Sequence, residues 1–342
     1  MPTTGLRPTI YDVARAAGVS RATASRVINN APGASGPLRE RVHAAVAELG
    51  YQPNSAARAL ASGRQRAVDV IAVTNGPDVG WLGTHPYFSR VLAGIMPVLE
   101  GVDAQLRLHV VPHGTAADAI GEIAAQATLG AVLADATPEL ATRFHRRCRR
   151  VVSMVPTAGS VPGMEADNVG GAYAAVAELH RLGRRRIAAV HGPAGNPCAI
   201  DRRTGCLRAL DDLGLTALAG LTADGDFYRE GGHAAALRLL EQDPALDAMF
   251  VACDLMAAGA VQAVTATGRR VPEDVSIIGF DDSIAAVCSN PPLTTMRLPV
   301  EEMAATATRL LLDGTPASGH RQRFPVELVT RQTTQTTQTT QN

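Results

Sequence analysis

The chain has 342 residues, enough for two or three domains of roughly 150 residues each. Apolar residues make up 46% and charged residues 19%, which excludes a largely disordered chain, and no apolar run reaches the ~18 residues of a membrane span. The net charge is zero but uneven: nine arginines against three acids give residues 1–66 a charge of +6, on a body of −6. A basic head on an acidic body points to a nucleic-acid partner, because neutralising phosphates supplies most non-specific affinity.

In chain order, the head reads as short helices. Thr9 stands before IYDVARAAG with Asp12 three residues on, a capping-box pattern. Ile10, Val13, Ala14 and Ala17 fall on one helical face, and Gly18 stops the helix. Ser20 caps a second helix, RATASRVINN, with Ala24, Val27 and Ile28 inward. Two short helices around a glycine turn make a helix-turn-helix candidate. LRERVHAAVAELGY forms a third helix with Leu38, Val42, Ala45, Val46 and Leu49 inward. Pro53 breaks the chain, and Asn54 starts a short helix with only Ala56, Ala57, Ala59 and Leu60 to bury. Such a helix is too short to stand alone in water, so it is either a linker or folds against a partner.

From Ala67 the pattern becomes strand alternating with helix. Apolar runs stand at 67–73, 106–111, 130–134, 150–155, 186–191, 248–252 and 275–280, with helical stretches between them. Continuous apolar strands between helices predict parallel sheets covered on both faces. The fold class is therefore α/β, with an all-α helix-turn-helix head and a two-lobed core. The length of the core favours two lobes with a cleft between them, and ligands of such sheets bind at the carboxyl ends of the strands.

The expected divisions are a head over 1–52 and a hinge helix and linker over 53–66. The core spans 67–331, with one lobe from 67–165 and 297–322 and the other from 166–296 and 323–331. A disordered Gln-Thr-Thr tail covers 332–342. The N-terminus lacks the apolar stretch of a secretory signal, and Cys148, Cys198, Cys206, Cys253 and Cys288 contain no CxxC pair. A cytoplasmic protein without disulfide framework, structural zinc or cofactor is expected. His109 and His113 have metal-like spacing but fall on a strand and a loop, and metal binding is not favoured. The basic run RFHRRCRR (143–150) reads as a solvated helix end, with an anion site as the alternative. No GxGxxG, P-loop or Ser/His/Asp order marks an enzyme.

The stretches TIYDVARAAGVSRATASRVINN and LRERVHAAVAELGYQPNSAARAL resemble the lactose/galactose repressor family. GDFYREGGHAAALRLL, CDLMAAGAVQAV, RVPEDVSIIGFDD and NPPLTTMRLPVEEM extend the resemblance through the core to about residue 331. It implies a repressor that binds a palindromic double-stranded DNA operator as a homodimer. A small molecule in a periplasmic-binding-protein-like cleft, a sugar, nucleoside or related metabolite, would control it. Alternatives are a core controlled by a protein partner and a non-catalytic solute-binding protein. The tail has no leucine heptad, which favours a dimer over a tetramer.

Arg21 and Ala22 open the second helix, where side chains reach base edges: arginine to guanine, alanine to a thymine methyl. The resemblance adds Arg26 as a base contact and Thr23 and Ser25 as phosphate contacts, which set register and not sequence. Tyr11 fits a phosphate contact or packing equally. Ser20, Asn29 and Asn54 complete the implied DNA-binding set. Leu60 matches a leucine that wedges into the minor groove and kinks the DNA. In the cleft, the resemblance implies Tyr87 and Phe88 as a stacking pair and Phe227 as an aromatic wall. It also implies Arg202 for ligand oxygens and Asp281 for ligand hydrogens. His85 and Cys253 replace asparagines of sugar-binding members, and SMVPT near Val155 lacks an aspartate found in many. The expected effector is less hydroxyl-rich than a hexose, or anchored differently through His85 and Arg202.

Overall fold

A computed structural model describes residues 8–28, 33, 35–49, 65–74, 85–218 and 220–335. The chain divides into two compact units, Met1–Arg66 and Ala67–Asn342.

The first unit contains α1 (Ile10–Ala16), α2 (Arg21–Ile28) and α3 (Gly36–Leu49). Asp12 closes the start of α1 by accepting from the Thr9 backbone N–H at 2.9 Å and from its hydroxyl at 2.7 Å. Gly18 ends the first turn region at φ +61°, in the left-handed region that costs glycine least. The Arg41 guanidinium donates to the carbonyls of Ala17 and Gly18, satisfying the end of α1 from α3. Arg41 is therefore one head arginine engaged with the protein's own backbone. Val13, Ala17, Val27, Val42 and Ala45 form the small core, as the helical periodicity predicts.

Among its described residues, the second unit holds two six-stranded sheets. The first runs β11-β5-β4-β3-β1-β2. Its members are β1 (Ala67–Thr74), β2 (Gln105–Pro112), β3 (Gly130–Asp135), β4 (Val151–Ser153), β5 (Gly163–Ala166) and β11 (Arg321–Phe324). The second runs β12-β10-β9-β8-β6-β7. It contains β6 (Ile187–His191), β7 (Thr222–Asp224), β8 (Ala248–Val251), β9 (Ser276–Asp281), β10 (Thr294–Arg297) and β12 (Glu327–Val329). Among the described residues, every pairing is parallel except that of β12 with β10.

Helices cover the sheets: α4 (Pro86–Leu99), α5 (Ala116–Gln126), α6 (Pro138–Arg147), α7 (Asn168–Arg181), α8 (Pro197–Asp212), α9 (Arg229–Gln242), α10 (Asp254–Ala266), α11 (Ile284–Cys288) and α12 (Val300–Leu312). Two close approaches set the packing near the cleft. A Cβ on Gly94 of α4 would lie 2.2 Å from the Glu301 carbonyl of α12, and one on Gly205 of α8 would lie 2.1 Å from the Val169 carbonyl of α7. The chain passes between the sheets after β5, after β10 and between β11 and β12.

Four boundaries differ from expectation: those at 165/166 and 296/297 cut one residue from the ends of β5 and β10, and two others differ further. The division placed at 322/323 falls inside β11, which pairs with β5 through Phe324 and stays with the first sheet. The tail expected to be disordered from 332 is packed at its start: Thr333 and Thr334 are buried. The Thr333 hydroxyl donates to the Ile277 carbonyl at 2.7 Å and accepts from the Thr294 N–H at 2.8 Å. The Ile277 N–H donates to the Thr333 carbonyl at 3.0 Å. Threonine has no long apolar side chain, but it has the donor and acceptor that close the edges of β9 and β10. Among the described residues, no helix is long and apolar enough to cross a membrane.

Candidate functional site

The head presents one face of α2. Arg21, Ala22 and Arg26 are exposed along it, while Ala24 and Val27 of the same helix are buried. The Ser20 hydroxyl accepts from the Thr23 N–H at 3.1 Å, so Ser20 caps the helix. Arg21 donates to the Tyr11 hydroxyl at 2.9 Å and lies 5.3 Å from its ring centroid. Tyr11 is exposed, so it steadies Arg21 beside the helix N-terminus without joining the core. Thr23 and Ser25 are half-buried on the flank. Asn29, Asn54 and Leu60 lie outside the described residues.

In the second unit, the two sheets direct their strand ends at one cleft of about 650 Å³. His85, Tyr87, Phe88, Arg202, Phe227, Cys253 and Asp281, chosen from sequence, all line it. They come from the start of α4, from α8, from the segments that follow β7 and β8, and from the last residue of β9. The place is the one parallel sheets reserve for ligands, where loops leave the carboxyl ends of strands. Residues missed from sequence include Asp135, Met154, Asn168, Asn196, Cys198 and Met303.

Arg202 organises the second-sheet wall. It is buried, and its Nε donates to Asn168 Oδ1 at 2.8 Å while Nη1 donates to the Ala252 carbonyl. Its guanidinium stacks 3.8 Å from the Phe280 ring centroid and lies 3.4 Å from Asp281. Phe227 at φ +70° and Asp281 at φ +120° both adopt left-handed backbone, strain of a kind that accumulates at ligand sites. Gly192 makes room for the Phe227 ring: a Cβ there would lie 2.3 Å from it.

The other wall is anchored by hydrogen bonds of its own. The Tyr87 hydroxyl donates to the Ala134 carbonyl at 2.7 Å, and its ring meets Phe88 edge-on at 5.2 Å between centroids. His85 Nδ1 accepts from the Tyr87 N–H at 3.3 Å and starts α4. Burial, aided by Arg202, pushes the His85 pKa down to about 4, so the ring is neutral near pH 7. Arg90 of α4 ties the first-sheet lobe to the second. It donates to the Asp281 carbonyl at 2.7 Å, to the Leu298 carbonyl at 2.8 Å, and to both Glu301 oxygens.

The carboxyls here do not titrate normally. Burial alone pushes Asp135, at the end of β3, up to about 7. Asp254 and Asp281 are both raised, first by burial; their proximity adds to the shift of Asp254. Asp254 sits beneath the site, accepting from the Ser283 N–H at 2.7 Å and from the hydroxyls of Ser283 and Thr295. Burial likewise pushes the Cys198 thiol up to about 12 and Cys253 well above its usual range. Both thiols are therefore protonated lining groups and poor nucleophiles at neutral pH.

Outside the cleft, His109 hydrogen-bonds Asp69 at 2.7 Å, and Arg107 grips the same buried carboxylate with two bonds of 2.8 Å. The basic run forms the C-terminal end of α6, with Phe144 and His145 buried and Arg150 donating to the Leu311 carbonyl.

Residues 9–54 match the family described as bacterial regulatory proteins, lacI family, and residues 176–334 match a periplasmic binding protein-like domain. The HTH-type transcriptional regulator CelR of Thermobifida fusca is 34% identical, over 90% of this chain and 92% of its own length. The chain belongs to the LacI family. Another family member, the lactose operon repressor of Escherichia coli K12, is 31% identical over 95% of this chain and 90% of its own. Among solved structures, a CelR–cellobiose complex superposes with a TM-score of 0.71 at 32% identity, covering 96% of this chain and 100% of that one. A lac repressor dimer bound to operator and the anti-inducer ONPF gives 0.75 at 29% identity, covering 96% and 99%. This LacI-family chain is thus a DNA-binding transcriptional regulator with a helix-turn-helix head and a periplasmic-binding-protein-like core.

Proposed function

We infer that the protein is a cytoplasmic, non-catalytic repressor that binds a palindromic operator as a homodimer and is controlled by a small metabolite in the cleft. The carrying observation is one chain that joins an exposed α2 face bearing Arg21, Ala22 and Arg26 to a two-lobed core with a cleft at its strand ends. One head makes few base contacts, so a symmetric pair on a two-fold operator is needed for affinity and specificity. Leu60 is assigned to the minor-groove wedge between the two half-sites.

The ligand acts by preferring one arrangement of the lobes over the other, since only a difference in affinity shifts the equilibrium. Arg90 is placed to feel that shift, because it holds groups of both lobes. The metabolite class is a sugar, nucleoside or related compound. The test is a panel of such metabolites added to the full-length protein on operator fragments recovered from random DNA. At least one compound changes operator affinity by about tenfold or more, the size of a typical coupling free energy. If operator affinity is indifferent to every compound that calorimetry shows to bind the cleft, control by a metabolite is wrong.

A further inference from the structure

Charge in the cleft is unevenly compensated. Asp281 lies 3.4 Å from the Arg202 guanidinium, so those two charges offset one another. Asp135 has no such partner: among the described residues none donates a hydrogen bond to its carboxyl or pairs with it. Among the described residues, Asp135 acts electrostatically on Tyr87 of α4 and Cys198 of α8, both held neutral by burial, and neutral His85 and the Arg202–Asp281 pair line the same cleft.

Much of the remaining lining is apolar. Phe88, Met154, Val155, Phe227 and Met303 are apolar, and the Asn196 carboxamide oxygen is occupied by the N–H groups of Cys198 and Ala199. A hydroxyl array needs donors and acceptors in alternation; an amphipathic cation needs one acceptor of opposite charge and an apolar surround. A half-buried carboxylate without a counter-charge, facing an apolar lining, gains from a formal positive charge.

We propose that the cleft ligand is a small organic cation, a protonated amine or amidine, whose charged group sits on the Asp135 carboxylate. The proposal rests on the reading of the cleft as the ligand site. It narrows the metabolite class to nitrogen-bearing members and makes Asp135 the specificity-determining residue.

The test is calorimetry on the full-length protein with tyramine, benzamidine and putrescine, each against a neutral counterpart: tyrosol, benzamide and butanediol. Glucose and ribose form a sugar arm. At about pH 8, at least one cation binds about tenfold or more tightly than its counterpart. Its affinity falls about tenfold by about pH 6, following the ionised fraction of a carboxyl that titrates near 7. Below neutrality, binding releases a proton, because the cation selects the ionised form. Asp135→Asn abolishes both the charge preference and the pH dependence. Its folding is checked independently: without ligand it melts higher than the parent at about pH 8, because burial opposes the ionisation it removes.

Three results overturn the proposal: equal binding of a cation and its neutral counterpart, binding of none of the cations, or a charge preference that survives in Asp135→Asn. A sugar that binds and shifts operator affinity while the cations do not would refute the cation and leave metabolite control standing. A cation held by Asp135 that leaves operator affinity unchanged would support the site assignment and refute metabolite control.

Discussion

Arg202→Met abolishes the ligand response and lowers the stability of the core by about 3–5 kcal/mol, the cost of breaking a buried ion pair from one side. The substitution keeps an apolar stem but leaves Asn168 Oδ1, the Ala252 carbonyl and the Asp281 carboxylate without their donor. Each is buried or faces the cleft, so water cannot fully replace the guanidinium. Asp281 then keeps its proton to higher pH, because Arg202 is the strongest influence holding it down. Thermal unfolding should fall by roughly 10 °C for a core of this size. Arg202→Lys retains the charge without the planar fork and should recover only part of the stability. A melting temperature unchanged in Arg202→Met would show that these contacts carry little of the fold.

Gly205→Val separates the two helices that hold the second-sheet wall. A Cβ at 205 would lie 2.1 Å from the Val169 carbonyl and 3.1 Å from the Ala172 side chain. Neither backbone can yield without moving α7 against α8. Overpacking of this kind costs about 3 kcal/mol. It also draws Arg202, one turn earlier on α8, away from Asn168 at the start of α7. The variant should therefore lose ligand affinity even where it remains folded, which calorimetry at low temperature reads directly. Gly205→Ala should show the same direction with a smaller loss. Full ligand affinity in folded Gly205→Val would mean that the α7–α8 contact does not position the cleft.

The parts of the fold that were legible in the sequence are those whose burial demands a continuous signal. β1, β3, β6, β8 and β9 are covered on both faces, and their apolar runs at 67–73, 130–134, 186–191, 248–252 and 275–280 mark them within a residue or two. β5, β7, β11 and β12 are short and mix polar with apolar residues, as in GMEA, TAD, RQRF and ELV, so no periodicity separates them from loops. The head was legible almost whole, because caps, a left-handed glycine and a small inward face all occur within a few residues.

In the cleft, the seven residues named by resemblance meet at one place, but their local partners were not foreseeable. Arg202 depends on Asn168, which is 34 positions away, and Asp281 depends on Arg90, which is 191 away. Asp135 did leave a signal, a charged residue closing the apolar run GAVLAD at a strand's carboxyl end. A single carboxylate at a strand end has no spacing or periodicity that separates a cleft residue from an ordinary loop residue. Thr333 and Thr334 were hidden for a different reason: they belong to a polar repeat whose composition suggests disorder, while two of its hydroxyls serve the edges of β9 and β10.

Regulation by this protein depends on sequence-specific binding of DNA by a symmetric pair of heads. Selection of random duplex DNA by the full-length protein, at fixed salt, tests it most directly, with Arg21→Ala and Leu60→Ala in parallel. The expected result is an enriched palindrome with a flexible pyrimidine–purine step at its centre. Arg21→Ala should weaken binding by about 1–3 kcal/mol and relax one position in each half-site, while Leu60→Ala should weaken the central preference. Enrichment of no palindrome, with or without cell extract to supply a ligand, would contradict the account.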